Sequence, residues 1–554
     1  MNRLLILLVL CSVPVSAQYR SAAALASAVK DLASSRSTVV SLTSLAKTQQ
    51  GNDLWLLTVG KRPERKAVLV VGGVDAVDLA GTEYAVRTAQ RLAAGYGTVD
   101  SITALLNDVT FYIIPRLNPD AAQAFFASPL SERSTTVTPF DDDGDGAVDE
   151  DGPEDINKDG MVTMMRVRDE RGEWLPDPDE PRVMRKADAA KGERGMYRLY
   201  SEGVDNDKDE EWNEDPAGGT DLNRNFTYAY QYFGKNSGIN QMSEAESRAV
   251  ADFLFDHQNI AVVFSFAPND NLTAPWKHEP PRGESPHVTS VMKDDEEYMA
   301  AVGKLFSETT LLKDAPKSAK GEGAFSEWAY FHAGRWSFSV RSWWPAEPPK
   351  DTSVRADSLR KKTEGKKGEK SDDPSVRALR WFDAAGVKEV ALPWKKAEHP
   401  DFPDRDVEVG GVRPYALQNP PADSLDRFSL PYSTFIMRLG SRLPSLRIVN
   451  EKVERLGRDL YRVSADILND GFLPTLSAMG VRSRWLRSVL IDLETGSGVR
   501  IVSGRQRQPV GPLKGNGGFA TVSWIVSGSG AVGITAECPS AGTAAVSVKL
   551  RTSK

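Results

Sequence analysis

Cysteine and histidine are scarce in this chain, which limits the cross-links and metal sites that it can form. The 554 residues include two cysteines, Cys11 and Cys538, and five scattered histidines without metal-ligand spacing. Residues 1–17 have the layout of a cleaved secretory signal, with an Arg, an apolar run and a small-residue cleavage site. Cleavage would leave Cys538 alone, so no intramolecular disulfide is expected. The alternative, a lipid on Cys11, is disfavoured because bulky Leu10 precedes it.

Long apolar runs and an excess of one charge are also missing. After the signal segment, no apolar stretch reaches the length needed to span a membrane, so no membrane span is expected. The 69 basic and 76 acidic residues give a net charge of −7, and no basic field marks a nucleic-acid surface. The sequence therefore predicts a secreted or periplasmic protein that does not bind nucleic acid.

Strand-like and helix-like segments alternate from about residue 22 to 400. Residues 109–115 and 260–266 are short β-branched and aromatic runs, typical of strands that are buried on both faces. Between them, Val250, Phe253 and Leu254 recur at helical spacing. This alternation predicts an α/β domain with a mixed, largely parallel sheet flanked by helices.

Two insertions and a second domain complete the predicted organisation. The α/β domain, residues 18–400, contains an acidic insertion at 141–215 and a charged loop at 351–375. A Pro-rich linker follows at 401–425. From 426 to 554, alternating apolar and polar residues between Gly and Ser turns predict an all-β sandwich domain. Its expected role is packing or positioning of a ligand.

Three stretches of the acidic insertion have the spacing of calcium-binding loops. Each places oxygen ligands at alternate positions, and in the first two a Gly follows that permits a sharp turn. The bidentate Glu of an EF-hand is missing there, so calcium-type loops without EF-hand helices are expected. The alternative is an acidic insertion without an ion. The candidate ligands are Asp141, Asp143, Asp145, Asp155, Asn157, Asp159, Asp205, Asp207 and Asp209.

Five short motifs follow one another along the first domain. They are Asp75-Ala-Val-Asp78, Asn118-Pro119-Asp120, Met164-Met165-Arg166, Asp221-Leu-Asn223-Arg224-Asn225 and Glu327-Trp-Ala-Tyr330. The Asn-Arg-Asn segment is the most specific of them, and the others gain weight from their order. Through these motifs, residues 22 to about 400 resemble the M14 family of zinc carboxypeptidases.

The resemblance implies a zinc site that this sequence does not retain. The family binds Zn²⁺ through His-x-x-Glu and a second His, with a position left for water. Asp75 and Asp78 stand at the first two ligand positions and Phe264 at the third. Arg341 stands at the position of the general base, and a guanidinium cannot accept a proton from water. We therefore do not expect zinc to bind. We expect instead that Arg341 forms a salt bridge with Asp75 or Asp78.

The resemblance also implies a ligand-binding set that is retained. In the family, the Asn-Arg pair holds the C-terminal carboxylate of the substrate, and a further Arg contacts the carbonyl under attack. Asn223, Arg224 and Arg166 match these positions. We therefore expect a non-catalytic protein that binds the C-terminal carboxylate of a peptide or cell-wall peptide.

Two alternatives stay open at this point. The first is an active metallocarboxypeptidase with a non-standard metal, in which Asp75, Asp78 and Asp270 would hold Mg²⁺ or Ca²⁺ because these ions prefer oxygen ligands. The second is a calcium-stabilised structural or adhesive module in which the β-sandwich mediates contact.

Overall fold

A computed structural model describes residues 18–141, 146, 148–149, 151–208, 210, 212–213, 218–280, 287–346, 373–388 and 390–550. The signal segment, most of the loop 351–375 and the calcium candidates Asp143, Asp145 and Asp209 lie outside these ranges. Within them, no helix combines the length and the apolar character needed to cross a membrane.

The described ranges contain helices and strands that we number in chain order. The helices are α1 (Ala22–Ser35), α2 (Leu79–Gly95), α3 (Asp100–Asp108), α4 (Pro119–Ala122), α5 (Ala245–Asp256), α6 (Lys293–Thr310), α7 (Phe325–Phe331), α8 (Pro374–Ala384), α9 (Leu425–Gly440) and α10 (Ala478–Ser483). The first strands are β1 (Val40–Lys47), β2 (Asp53–Val59), β3 (Ala67–Val71), β4 (Thr110–Ile114), β5 (Met164–Arg168), β6 (Trp174–Pro176), β7 (Met184–Lys186), β8 (Tyr197–Ser201), β9 (Ile260–Phe266), β10 (Trp336–Val340), β11 (Ala391–Ala397) and β12 (Val407–Val412). The last strands are β13 (Leu446–Gly457), β14 (Leu460–Asn469), β15 (Leu490–Thr495), β16 (Val499–Ser503), β17 (Arg507–Pro509), β18 (Gly518–Gly528), β19 (Gly530–Cys538) and β20 (Gly542–Leu550).

The first sheet has the strand order β1-β2-β4-β3-β9-β10. Strands β4, β3, β9 and β10 run parallel, and β1 and β2 add an antiparallel edge. Every residue of β3 and β9 is buried, because α2, α6 and α9 cover one face while α5 and α7 cover the other. The predicted α/β class is confirmed, and the carboxyl ends of β3, β9 and β10 meet at one edge.

A second sheet, which the sequence did not predict, has the order β11-β12-β5-β8-β6-β7. It joins the acidic insertion to residues 391–412, since β12 pairs with β5 in antiparallel register. Its buried face packs Met165 and Val167 against Val407 and Val409. The insertion is therefore part of a folded sheet that also includes part of the predicted linker.

The expected start of the β domain at residue 426 falls in the first turn of α9 instead. Tyr432, Phe435 and Leu439 of this helix lie in the same core as α2 and α6. The α/β domain thus extends to about residue 440, and the first strand of the next domain begins at Leu446.

The C-terminal region consists of two four-stranded antiparallel sheets, β13-β14-β18-β16 and β17-β15-β19-β20. Both contribute to one hydrophobic core, with Trp524 from one sheet and Ile534 from the other. The Asp295 carboxylate in α6 accepts hydrogen bonds from the backbone nitrogens of Ala478 and Met479, at 2.8 and 3.2 Å. Buried bonds therefore attach this region to the α/β domain.

Candidate functional site

The first half of the candidate site, which we call the metal half, comprises Asp75, Asp78, Phe264 and Arg341. Asp75 and Asp78 follow β3 after the turn at Gly72 and Gly73. A side chain at Gly72 would overlap the carbonyl oxygen of Pro115, and Gly73 has a φ of +57° that favours glycine. This tight turn brings both carboxylates to the edge where the parallel strands end.

Asp78 is the N-cap residue of α2, and protein donors occupy both of its oxygens. Its Oδ1 accepts the Gly81 amide at 2.9 Å and the Ser342 hydroxyl. Its Oδ2 accepts the Ser342 amide at 3.4 Å. The carboxylate therefore ties the helix to the end of β10, with no oxygen left without a donor.

Ionisation of Asp75 and Asp78 is unfavourable in the folded protein, as their raised pKa values indicate. Burial raises the pKa of Asp75 to about 8, and repulsion from Asp221 and Asp78 adds to the increase. Burial also raises the pKa of Asp78, against the hydrogen bonds from Ser342 and Gly81. The Arg341 charge lowers the pKa of both carboxyls.

The predicted salt bridge of Arg341 does not form. Among the described residues, no Arg341 nitrogen lies within 4.0 Å of a carboxylate oxygen of Asp75 or Asp78. The Arg341 Nε is buried without a hydrogen-bond partner, and the Arg341 carbonyl accepts the Tyr432 hydroxyl at 2.9 Å. The guanidinium acts on the two carboxyls through space, because the helix N-terminus and Ser342 already satisfy Asp78.

Phe264 belongs to the hydrophobic core. Its side chain is fully buried among α2, α6 and α9. Its ring centroid lies 5.0 Å from that of Phe266 and 5.9 Å from that of Phe435. Phe264, the predicted counterpart of the third ligand, is therefore part of core packing that an imidazole would disturb.

The donor set does not fit zinc. A catalytic zinc needs three protein ligands, and the described ranges hold no group of three His, Cys, Asp or Glu side chains suited to a metal. The Asp270 carboxylate is engaged elsewhere, by the amides of Leu272 and Thr273 at 2.8 and 2.9 Å and by the Thr273 hydroxyl. Four histidines are hydrogen-bonded away from this edge, namely His257, His278, His332 and His399.

The second half, which we call the clamp half, is the segment 221–225. Asp221 caps a single 3₁₀ turn, where its Oδ1 accepts the Asn223 amide at 2.8 Å. The Asn223 side chain donates to Asn269 Oδ1 at 2.6 Å and accepts the Phe325 amide at 3.2 Å. Buried hydrogen bonds thus fix the segment in place.

Arg224 is the exception within the clamp half. It is partly exposed, and the described part of the chain offers its guanidinium neither a hydrogen bond nor an ion pair. Gly323 has a φ of +73° and lies against the Arg224 backbone. A side chain at position 323 would overlap the Arg224 carbonyl, so glycine is needed for this close approach. Burial raises the pKa of Asp221 to about 6, and the Arg224 charge opposes this increase. The backbone of Arg224 is thus held in place, while the described residues leave its guanidinium available to a ligand.

Backbone contacts join the two halves. The Asn118 amide donates to the Gly73 carbonyl at 3.1 Å, and its side chain donates to the Ser134 carbonyl at 3.3 Å. The next residue, Thr135, pairs with Asp221 in an isolated antiparallel bridge. The sequence identified Asp221 as part of a motif but not as the neighbour of Asp75, and it missed Ser342, although this residue directly follows Arg341.

Arg166 lies in strand β5 of the second sheet. Its Nε and Nη2 contact Glu408 Oε2 at 2.8 and 2.7 Å. Its guanidinium stacks between the rings of Tyr197 and Trp394, at 4.7 and 4.5 Å. No contact among the described residues brings it to Asn223 or Arg224.

The calcium-type stretches share one turn geometry. The first Asp of each accepts the amide five residues later, at 3.0 Å for Asp141, 2.7 Å for Asp155 and 3.1 Å for Asp205. In the second stretch, Asn157 Oδ1 also accepts the Asp159 amide at 2.9 Å. Calcium binding stays a prediction.

A family comparison supports the resemblance over most of the first domain. A model of the zinc carboxypeptidase family (Peptidase M14) matches residues 25–138 and 183–351. A domain of unknown function, DUF8731, matches residues 445–549, which correspond to the C-terminal sheets.

Individual relatives match only in part. An inactive metallocarboxypeptidase, ECM14, of Uncinocarpus reesii is 32% identical over 97 residues, 16% of this chain and 17% of that protein. Carboxypeptidase M of Mus musculus is 28% identical over 101 residues, 17% of this chain and 23% of that protein. The crystal structure of carboxypeptidase A from Helicoverpa armigera is 12% identical, covers 67% of this chain and 74% of that one, and has a TM-score of 0.38. The matched segments thus span less than a quarter of these two curated relatives.

Proposed function

Because the chain belongs to the zinc carboxypeptidase family (Peptidase M14), we propose that it is a non-catalytic member that binds a ligand carboxylate without hydrolysing it. One observation carries the proposal: Asp78 and Phe264 of the metal half belong to a helix cap and a core, whereas the Arg224 guanidinium of the clamp half has no hydrogen bond or ion pair with any described residue. The name of the ECM14 relative, an inactive metallocarboxypeptidase, supports the existence of such members.

The metal half lacks the groups that hydrolysis requires. Asp78 has both oxygens bound by protein donors, and Phe264 offers no donor atom at all. Arg341 at the general-base position is permanently charged and cannot take a proton from water. Asp78, Phe264 and Arg341 therefore supply neither a zinc site nor a general base.

The clamp half keeps the groups that recognise a carboxylate. The Arg224 guanidinium is planar and suited to a bidentate, charge-assisted bond with a carboxylate. Asn223 uses one amide proton on Asn269, and its second proton is a further donor. Hydrogen bonds to charged groups contribute about 1.5–3 kcal/mol each. Peptides or cell-wall peptides with a free C-terminus are the ligand class that the family suggests.

The test compares acetyl-Ala-Ala-Ala with its C-terminal amide by isothermal titration calorimetry, beside a hydrolysis assay and metal analysis. We expect the free acid to bind at least about tenfold more tightly than the amide, since a bond to a charged group is lost. Arg224→Ala should abolish this preference and Arg224→Lys should keep part of it.

Arg500→Ala is the matched control, because Arg500 is an exposed arginine of the C-terminal region and its loss should change nothing. Stoichiometric zinc with chelator-sensitive cleavage would overturn the non-catalytic assignment. Unchanged binding by Arg224→Ala would overturn the carboxylate clamp.

A further inference from the structure

The loop that follows the clamp half presents large apolar side chains to solvent. This loop, residues 229–242, lies between the segment 221–225 and helix α5, and we call it the display loop. Tyr232 is 63% exposed, Ile239 is 79% exposed and Phe233 is 105% exposed. Single exposed apolar residues are ordinary on a protein surface, whereas a group of them marks an interaction site.

Side-chain contacts hold the two sides of the display loop together. The Tyr230 hydroxyl donates to the Gly238 carbonyl at 2.7 Å, and the Gln241 side chain donates to the Tyr232 hydroxyl at 2.7 Å. The rings of Tyr230 and Tyr232 are in edge contact, with their centroids 5.0 Å apart. These contacts bring Ile239, which follows Gly238, close to the segment that carries Tyr232.

The display loop is also attached to the clamp half. The Asp221 amide donates to the Asn236 carbonyl at 2.8 Å. The Asn225 side chain donates to the carbonyls of Ser237 and Asn240, at 2.9 and 3.1 Å. The display loop and the clamp half therefore form one hydrogen-bonded unit.

The backbone of the display loop is strained where Phe233 projects. Phe233 has a φ of +60°, and Ala229, Asn236 and Met242 have φ values of +51°, +59° and +53°. A bulky residue is rare in this left-handed region, because its Cβ crowds the following carbonyl oxygen. Such conformations persist where the surrounding contacts impose them, and they are concentrated at functional sites. The loop therefore holds Phe233 outward at a conformational cost.

The charge of this stretch is uniformly positive. From residue 222 to 243 the sequence contains no Asp or Glu, although the whole chain has 76 of them. Its charged residues are Arg224 and Lys235, and Lys235 is exposed in the display loop. A bare apolar tip with a cation and without carboxylates is complementary to an anionic lipid surface.

The size of the tip also favours a lipid surface over a protein partner. A stable protein interface buries about 800 Å² on each partner. One aromatic side chain buries about 150–250 Å², so three large side chains stay below that area. A bilayer interface requires no complementary shape, and it accommodates aromatic rings with a tyrosine hydroxyl at the level of the headgroups.

We propose that the display loop docks this protein on an anionic lipid surface. Phe233 and Ile239 enter the boundary between headgroups and acyl chains, and Lys235 lies against the headgroups. The hydrogen bonds from Asp221 and Asn225 then keep the clamp half beside the surface. This inference is independent of the proposed function, since it does not require Arg224 to bind a carboxylate.

Vesicle co-sedimentation tests the proposal. The protein is purified without residues 1–17, because an apolar signal segment would itself bind lipid. Phosphatidylglycerol and phosphatidylcholine in equal parts form one set of vesicles, and phosphatidylcholine alone forms the other. Phe233→Ala should weaken binding to the anionic vesicles about tenfold, since it removes a buried aromatic ring. Lys235→Glu should weaken it at least about fivefold, and should leave binding to phosphatidylcholine unchanged.

Leu311→Ala is the matched control. Leu311 is 76% exposed and has a φ of +57°, but it lies at the end of α6, outside the display loop. Its substitution should leave vesicle binding unchanged. Melting curves show that each variant is folded, and Phe233→Ala should bind acetyl-Ala-Ala-Ala as the wild type does.

Two results would overturn the proposal. One is equal binding of the wild type and Phe233→Ala to the anionic vesicles, or no binding by the wild type at all. The other is self-association of the wild type without vesicle binding, lost in Phe233→Ala, which would assign the display loop to an interface between two copies of the chain.

Discussion

The two halves of the candidate site have diverged in different ways. In the metal half, Asp78 has become a helix cap tied to Ser342, and Phe264 lies in the core. In the clamp half, hydrogen bonds fix the segment 221–225, while no described residue pairs with the Arg224 guanidinium. The shape of this edge does not depend on a metal-binding donor set, because backbone hydrogen bonds hold the turn at Gly72 and Gly73.

The largest expected effect on stability comes from Phe264, the residue of the metal half that lies in the hydrophobic core. Phe264→Ala should lower the free energy of unfolding by about 3–5 kcal/mol, the usual cost of removing a buried aromatic ring. Urea unfolding measures it. Phe233→Ala is the control, since Phe233 is 105% exposed, and it should change stability by less than about 0.5 kcal/mol.

If Phe264→Ala lowers the free energy of unfolding only slightly, the contrast between the two halves does not hold. It would show that the third ligand position is loosely packed, so that it could still accommodate a polar side chain. The metal half would then have lost its ligands without gaining a tightly packed core in their place.

The second prediction contrasts the carboxylates of the metal half with those of the loop at 155–160. Asp78 has protein donors on both oxygens, whereas among the described residues the side-chain oxygens of Asp155, Asn157 and Asp159 accept only backbone amides of their own turn. Calcium at 100 times its Kd should raise the free energy of unfolding by about 2.7 kcal/mol. Melting curves with calcium and with a chelator measure the change.

Asp155→Ala should abolish the calcium-dependent part of the stability. Asp179→Ala is a matched control in the same insertion, because the Asp179 side chain is exposed and, among the described residues, forms one surface ion pair, with Arg380 at 3.5 Å. Identical melting with and without calcium in the wild type would contradict the prediction.

The parts of the fold that the sequence predicted are those with local signals. Buried parallel strands have continuous apolar runs in the sequence, as β9 does over Ile260–Phe266. The second sheet has no such signal. Its strands β6 and β7 are three residues long, and β5 pairs with a strand more than two hundred residues away. Such long-range strand pairing depends on tertiary contacts, which the hydrophobic periodicity of a short segment does not reveal.

The electrostatic prediction failed for a related reason. The sequence predicts an internal salt bridge of Arg341 with Asp75 or Asp78 because carboxylates at a site without its metal need a counter-charge. Asp78 instead accepts hydrogen bonds from the Gly81 amide in the first turn of α2 and from the Ser342 hydroxyl. Helix N-termini bind carboxylates well. The repulsion of Asp75 by Asp221 arises from residues far apart in sequence and was visible only in the fold.

The third prediction concerns the raised pKa of Asp75, which is caused mainly by burial and further by repulsion from Asp221. The folded-state pKa of Asp75 is about 8, above the value of about 3.9 in an unfolded chain. Folding therefore favours the protonated form, and stability falls as the pH rises from about 4 to about 8. Asp75→Asn removes this cost, so it should be more stable than the wild type by about 1–2 kcal/mol at pH 8 and similar to it near pH 4.

Urea unfolding between pH 4.5 and 8.5 measures the difference. Asp466→Asn gives the opposite sign, because hydrogen bonds from Thr521 and Asn450 lower the pKa of Asp466. Its wild-type contribution is present above pH 4 and is lost as the pH falls through the lowered folded-state pKa. Parallel pH profiles for Asp75→Asn and the wild type would show that Asp75 is not strained by its neighbours.

The smallest expected effect on stability belongs to Arg224. Because its guanidinium has no partner in the described structure, Arg224→Ala should change the free energy of unfolding by less than about 0.5 kcal/mol. Asn223→Ala, one residue away, should cost about 1–3 kcal/mol, since it leaves Asn269 and the Phe325 amide unsatisfied. A large loss from Arg224→Ala would mean that the guanidinium supports the fold, and its retention would then need no ligand to explain it.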